Sequence, residues 1–242
     1  MHPHMEDLHI YTEELSVKVL NMSGNTYRLK FFGDLDSDEY DNIVAQFVAK
    51  TKGQGIRVIA TNTPRMLVID FLEAAGMQVQ STKILYSKVL TDTSSELFFT
   101  PVAAGSIPFS EFKVLFREVS EGDPEISDDI DAELEEMIEM AGDQYNIDNW
   151  KLAYREGTCV GLVCPQLYPD EPSIGSIFYL GLRPDFREKG WGSKLHADGL
   201  ALLKQRNAEK YMGSTRLENQ PMNNIFRKNG CEEVVRQLFY GY

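Results

Sequence analysis

The residues best suited to chemistry lie between Ile177 and Leu203, where an apolar strand passes through Arg-Pro into a glycine-punctuated turn and then a helix. Arg187, Gly190 and Gly192 stand in the pattern R-x-x-G-x-G, and Trp191, Leu195, Gly199 and Leu202 then recur at helical spacing. A helix start presents backbone N–H groups without intrahelical partners at the positive end of the macrodipole, so an anion settles there readily. Glycine removes the Cβ that would hold the backbone away from that anion. An ordinary strand-turn-helix also uses glycines, and a bare pair of them would say no more than that. Two other phosphate loops are excluded by the residues themselves. G-x-x-x-x-G-K-[ST] is absent, since Lys194 follows Ser193, and the third glycine of G-x-G-x-x-G is replaced by Leu195. The stretch predicts a cradle for a pyrophosphate.

Composition narrows what surrounds it. A chain of 242 residues holds one large domain or two small ones, and 43% hydrophobic content is that of a globular protein. No apolar run approaches membrane-spanning length, so no membrane association is expected. The N-terminal residues carry no apolar core or small-residue cleavage site, so no secretory leader is expected. Cys159, Cys164 and Cys231 are odd in number and lack metal-ligand spacing, which favours reduced thiols in the core of a cytoplasmic protein with no metal centre. The His2-x-His4 pair fits a frayed polar terminus better than a metal site. A formal net charge of −13 argues against nucleic-acid binding, which needs a basic patch. That charge is local: Glu118 to Asp148 holds 13 acidic residues and no Lys or Arg.

The elements that must position the cradle follow from periodicity. In the first half, strands at Leu15 to Leu20 and Tyr27 to Phe32 flank a hairpin at Ser23-Gly24-Asn25. Asp36 with Glu39 resembles a capping box before a helix bearing Ile43, Val44, Phe47 and Val48. A short strand runs from Ile56 to Ala60, Thr63 and Pro64 open a second helix stopped at Gly76, and a long strand covers Gln78 to Leu90. The polar tract Thr91 to Ser95 marks a boundary, giving domains 1–92 and 96–242. The second begins with a strand, Leu97 to Val102, and helices Phe109 to Val119 and about Asp128 to Gly142. A hairpin pairs Lys151 to Arg155 with Cys159 to Cys164, then come the strand Gly175 to Leu182 and the cradle helix. Lys210 to Ser214, a helix from about Asn219 to Asn229, and terminal strands complete the chain.

That order, with Arg187-Glu188-Lys189-Gly190-Trp191-Gly192 after a strand, resembles the GNAT acetyltransferase superfamily, whose signature is [RQ]-x-x-G-x-[GA]. Asn219, and Gly230 after the following helix, stand at the family's usual spacing, with Phe226 where a Tyr is common. The resemblance covers about Glu96 to Tyr242 and implies an α/β (α+β) fold with a mixed sheet flanked by helices. Asn62-Thr63-Pro64 leading to Gly76 faintly echoes Asn219-Gln220-Pro221 leading to Gly230, so the first half reads either as a degenerate, shortened copy or as convergent helix punctuation. If a copy, it has lost the cradle: Asp34, Asp36, Asp38 and Glu39 would repel a pyrophosphate at that helix start. The first half is then a packing or dimerising partner, or a wall of the acceptor site.

The resemblance implies an N-acetyltransferase using acetyl-CoA or another acyl-CoA. Its pyrophosphate would be held by main-chain N–H groups across Arg187 to Ser193. Its pantetheine arm would lie along Leu180-Gly181-Leu182 like an added strand, with Asn219 nearby. Glycine at 181 would let the thioester carbonyl approach main-chain donors. The acceptor would be an amine of a small molecule or a protein, which must lose a proton while the thiolate gains one. Phe226 lacks a hydroxyl, so Tyr179, Tyr211, Tyr240 or water would supply the acid. Glu218 is a candidate base, a water chain to a carboxylate is another route, and His196 reads as a surface residue. The catalytic residues stay open, and so does a catalytically silent CoA-binding module. The acidic residues on Asp129 to Glu139 read as a solvated helix face, whereas Glu121, Asp123 and Glu125 between the helices are also placed to attract a cationic amine.

Overall fold

The computed structural model describes residues 7–23, 25–33, 38–61, 67–91 and 97–242. The turn at Gly24, the Asp36 cap, the Asn62-Thr63-Pro64 helix start, the tract after Thr91 and the His2-x-His4 pair lie outside the described residues. In the first half the elements are β1 (Leu8–Tyr11), β2 (Leu15–Ser23), β3 (Thr26–Gly33), α1 (Tyr40–Thr51), β4 (Arg57–Thr61), α2 (Leu67–Ala74) and β5 (Gln78–Val89). In the second they are β6 (Thr100–Ala103), α3 (Phe109–Val119), α4 (Ile130–Ala141), β7 (Lys151–Arg155), β8 (Thr158–Leu167), β9 (Ile174–Leu182), α5 (Trp191–Gln205), β10 (Lys210–Arg216), α6 (Gln220–Lys228) and β11 (Glu232–Gly241). Among the described residues no helix is long and apolar enough to cross a membrane.

The chain forms two compact units, Met1–Ile84 with Val235–Tyr242, and Leu85–Val234. This differs from a division at 92–96, because the crossings fall inside β5 and inside β11. A polar tract reveals a loop, but a strand that serves two units carries no break in its pattern.

In the first unit β1, β2 and β3 form an antiparallel meander, β3 runs parallel to β4, and Gln237 to Tyr240 of β11 pair antiparallel with Thr61 to Val58. Period-2 burial in β2 and helical burial of Ile43 and Phe47 in α1 point the same way, into a core with Tyr27, Val58 and Phe71. Phe71 meets Phe31 and Phe47 edge-on, at 5.0 and 5.2 Å between centroids. β1 escapes a sequence reading because only Ile10 of its four residues is buried.

In the second unit β6, β7, β8 and β9 pair antiparallel in that order, and β10 lies parallel to β9. Phe112 and Phe116 of α3 and Leu134 and Met137 of α4 join Trp150, Leu162 and Tyr179 in one core, which is why their apolar spacing is helical. The expected pair of terminal strands is a single strand, β11. The place beside β10 is taken by β5, whose Tyr86 hydroxyl donates to Asn223 Oδ1 at 2.9 Å and whose ring stacks on Phe226 at 4.6 Å. Each unit is therefore completed by a strand from the other half of the sequence.

Candidate functional site

The site begins with one extra residue. Opposite Val163 and Pro165 of β8, β9 places Leu180 and Ile177, so β9 carries a bulge at Phe178-Tyr179. A bulge bends its strand and shifts side chains between faces. Before it, Ile177 packs on α5, where a Cβ on Gly199 would lie 2.6 Å from its Cδ1. After it, Tyr179 faces α3, its ring 4.8 Å from that of Phe116. The parallel pairing of β9 with β10 covers Lys210 with Ile174 and Tyr211 with Gly175, then stops, although both strands continue. Beyond that point the two strands diverge, and among the described residues β9 has no strand beside it on this edge along Leu180-Gly181-Leu182, where Leu182 O accepts from Arg187 Nε. The sequence reads there as one apolar strand and shows no bulge.

At the end of β9 a short 3-10 turn, Pro184–Phe186, leads into the cradle. Glu188 and Gly190 adopt left-handed backbone, with φ of 61° and 72°, and such reversals turn successive N–H groups into one concavity. Gly190 is the N-cap of α5, and a Cβ there would meet nothing within 4 Å, so it is the backbone angle that calls for glycine. Gly192 differs: a Cβ on it would lie 2.9 Å from Ile225 Cδ1, so it serves the packing of α5 on α6. Among the described residues, no N–H from Glu188 to Ser193 donates to a carbonyl outside the α5 ladder. The first turn of α5 also carries no acidic residue. Arg187 N–H, by contrast, is already given to Pro184 O at 3.1 Å, so the open donors begin at Glu188.

The Arg187 side chain does not point into this concavity. Its guanidinium donates to Leu182 O, Glu121 O and Val119 O at 3.1, 2.9 and 3.1 Å, binding the turn to the end of α3. Lys189 donates to Asp185 O at 2.8 Å and lies over the rings of Phe186 and Trp191. Trp191 in turn packs on Phe98, Phe99 and, face to face, Phe186. Ser193 Oγ donates to Gly190 O, closing the first turn.

The connection between α3 and α4 spans the divergence. Tyr179 hydroxyl donates to Val119 O at 3.3 Å and lies 3.4 Å from Asp123 Oδ2. Burial, and then the neighbouring Asp123 charge, push its pKa well above the usual phenol value. Glu125 Oε1 accepts from Thr215 Oγ1 at 2.7 Å and from Arg216 N–H at 3.0 Å on β10. A Cβ on Gly181 would lie 2.9 Å from Val119 O, so this glycine admits α3 to the surface of β9. Arg216 Nε is buried with no hydrogen-bond partner among the described residues.

The residues around α6 hold themselves rather than open space. Asn219 Oδ1 caps α6 through Met222 N–H at 3.1 Å. Asn223, unremarked in the sequence, is 1% exposed and donates to the carbonyls of Arg216, Leu217 and Asn219. Its spacing four residues after Asn219 was the available signal. Phe226 is buried between Tyr86, Tyr211 and His196. His196 is 0% exposed, which corrects the expectation of a surface histidine. Polar partners make its burial possible: Asn229 Nδ2 donates to Nδ1 at 3.0 Å, so Nε2–H donates to Tyr211 hydroxyl at 3.2 Å. Burial, aided by Lys88, lowers its pKa to about 3 and keeps it neutral. Tyr240 hydroxyl belongs to the first unit, 3.5 Å from Glu73 Oε1, and Glu218 is exposed.

Residues 113–231 match the Acetyltransferase (GNAT) family. A mycothiol acetyltransferase from Saccharomonospora viridis is 29% identical over 103 residues, 40% of this chain and 34% of the relative. The match thus spans about a third of that relative's length. A GCN5-related N-acetyltransferase from Sphaerobacter thermophilus superposes with a TM-score of 0.65 at 14% identity, over 94% of this chain and 76% of that one. A tandem GNAT protein from the clavulanic acid biosynthesis pathway gives 0.60 at 13% identity, over 94% and 78%. At such identities the likeness is one of fold.

Proposed function

Because residues 113–231 match the GNAT acetyltransferase family, we propose that this chain is an acyl-CoA-dependent N-acetyltransferase whose donor is acetyl-CoA and whose acceptor is an amine of a small molecule or a protein. The observation that carries it is the run of open N–H groups from Glu188 to Ser193 at the start of α5, next to the edge that β9 exposes where β10 diverges. The residues fit such a donor. Glu188 to Ser193 would hold the pyrophosphate with backbone N–H groups and the helix dipole. Leu180-Gly181-Leu182 would bind the pantetheine amides as a strand does, and the buried Arg216 Nε offers a further unmet donor. The bound thioester supplies an activated acyl group. Arg187 fixes the turn against the end of α3, and Asn219 and Asn223 fix the chain between β10 and α6. A cationic amine is favoured by the acidic run from Glu118 to Asp148 through long-range attraction, although Asp123 and Glu125 are engaged in internal hydrogen bonds.

A second reading is a CoA-binding module without turnover. It is favoured by Phe226, which lacks a hydroxyl, and by the engagement of Tyr179, Tyr211 and Tyr240 with Val119, His196 and Glu73. Calorimetry tests the shared premise: wild type should bind acetyl-CoA, and a Gly190→Asp variant that stays folded by circular dichroism should lose that binding. Absence of binding by the folded wild type sinks both readings. Thiol release from acetyl-CoA across a panel of amines separates them, since turnover with any acceptor removes the silent one.

A further inference from the structure

We propose that Glu125 is a positioning residue for the acyl donor, a latch whose carboxylate ties the α3–α4 connection to β10 across the divergence of β9 and β10. The inference rests on the donor-cleft reading above.

The geometry is that of a bridge with supports on both sides. On the β9 side, Asp123 meets the Tyr179 hydroxyl, and Arg187 holds the carbonyls of Val119 and Glu121. On the β10 side, Glu125 Oε1 accepts from two groups of the strand, Thr215 Oγ1 and Arg216 N–H. Thr215 is 2% exposed, so its hydroxyl is fixed by packing and delivers a short bond to a charged acceptor. Arg216 N–H is a backbone donor near the end of a strand whose pairing with β9 ended five residues earlier, at Tyr211. Glu125 N–H is itself held by Asp123 Oδ1 at 2.9 Å, so the two anchoring carboxylates are locked to each other through one short turn. Cutting the Glu125 bonds frees one end of the bridge and leaves the other in place. The expected consequence is a loss of preorganisation of the cleft that an extended thioester enters, because a connection that must be ordered on binding costs affinity.

The role asks for a hydrogen-bond acceptor, not for a base. A glutamine Oε1 can accept both bonds, whereas alanine can accept neither. Acetyl-CoA affinity and steady-state kinetics of wild type, Glu125→Ala, Glu125→Gln, Thr215→Val and the Glu125→Ala Thr215→Val double variant therefore form the test, together with amide hydrogen exchange at Arg216. A latch predicts roughly tenfold weaker acetyl-CoA binding and a raised KM in Glu125→Ala and a smaller loss in Thr215→Val. The double variant should be no worse than Glu125→Ala, since both residues serve one connection. Glu125→Gln should recover most of the affinity, and Arg216 exchange should be slow in wild type and Glu125→Gln and fast in Glu125→Ala. A Glu125→Gln enzyme that binds acetyl-CoA normally but loses kcat would make Glu125 a base and overturn the latch. Unchanged binding and unchanged Arg216 exchange in Glu125→Ala would overturn it as well. If wild type binds no acetyl-CoA, the donor-cleft reading fails and this role fails with it, even where Arg216 proves protected.

Discussion

Of the turns that lead from a strand into a helix, β3 to α1 and β9 to α5 treat their helix starts differently. Before α1 the N-cap residue is Glu39, and its carboxylate accepts from Glu14 N–H at 3.0 Å. A hydrogen bond from the Thr12 side chain, then the Glu14 N–H, hold its pKa below the usual carboxylate value. Asp41 adds a second negative group in the first turn. Before α5 the N-cap is Gly190, no acidic residue occupies the first turn, and the N–H groups from Glu188 to Ser193 stay open. A helix start attracts negative charge in either case. What differs is the source of that charge: near α1 the chain supplies carboxylates of its own, while the first turn of α5 supplies none.

The two glycines that bound these turns give the sharpest way to break the comparison. At Gly33, φ is +100° and a Cβ would lie 2.0 Å from Glu14 O, so Gly33→Ala should cost about 3 kcal/mol, read by urea unfolding. It should leave acetyl-CoA binding intact; a loss of binding without a loss of stability would tie the first turn to the ligand. A smaller effect concerns the cores. His196 has its folded pKa lowered from 6.5 to about 3, so below pH 6.5 the unfolded chain takes up a proton that the buried ring refuses. Its contribution is complete above pH 6.5 and falls as the pH drops toward about 3, at about 1.4 kcal/mol per pH unit, or roughly 2 kcal/mol by pH 5. The first unit's core cluster contains no histidine, so unit-resolved hydrogen exchange should show the second unit losing protection first on acidification. His196→Gln should flatten that slope, and an unchanged slope would place the acid sensitivity elsewhere.

Salt gives the smallest expected effect. If acceptors are cations drawn by the Glu118 to Asp148 run, kcat/KM should fall severalfold between about 20 and 300 mM salt. Rates independent of salt would leave that run as a solvated surface and detach the acidic second half from substrate choice.

The cradle was legible because its parts are adjacent: Arg187, Gly190 and Gly192 fall within six residues, and a left-handed N-cap leaves a glycine in the sequence. Less legible was what each residue does. Arg187 looked like a ligand contact and is a clamp on three carbonyls. Gly181 looked like room for a thioester, yet Val119 O already comes within 2.9 Å of where its Cβ would be. Phe226 marks a familiar position, but whether a side chain lines a cavity or fills a core depends on Tyr86, which arrives from another half of the sequence. His196 was misplaced for a related reason. Helical phase describes the face turned toward one neighbour, and α5 has several, including α6 and β10, whose Asn229 and Tyr211 give an imidazole the partners it needs to be buried.

By itself, the sequence determined the helices and most strands, the turn chemistry of the cradle and the concentration of charge in one segment, since each depends on residues a few positions apart. Only the tertiary structure decided where β9 bulges and parts from β10, which strands complete each unit, and that Glu125 meets Thr215 and Arg216, 90 and 91 residues away. Periodicity records which side of an element is apolar. It carries no record of which distant backbone group will stand opposite a given side chain, because that pairing exists only once the sheet has set its register.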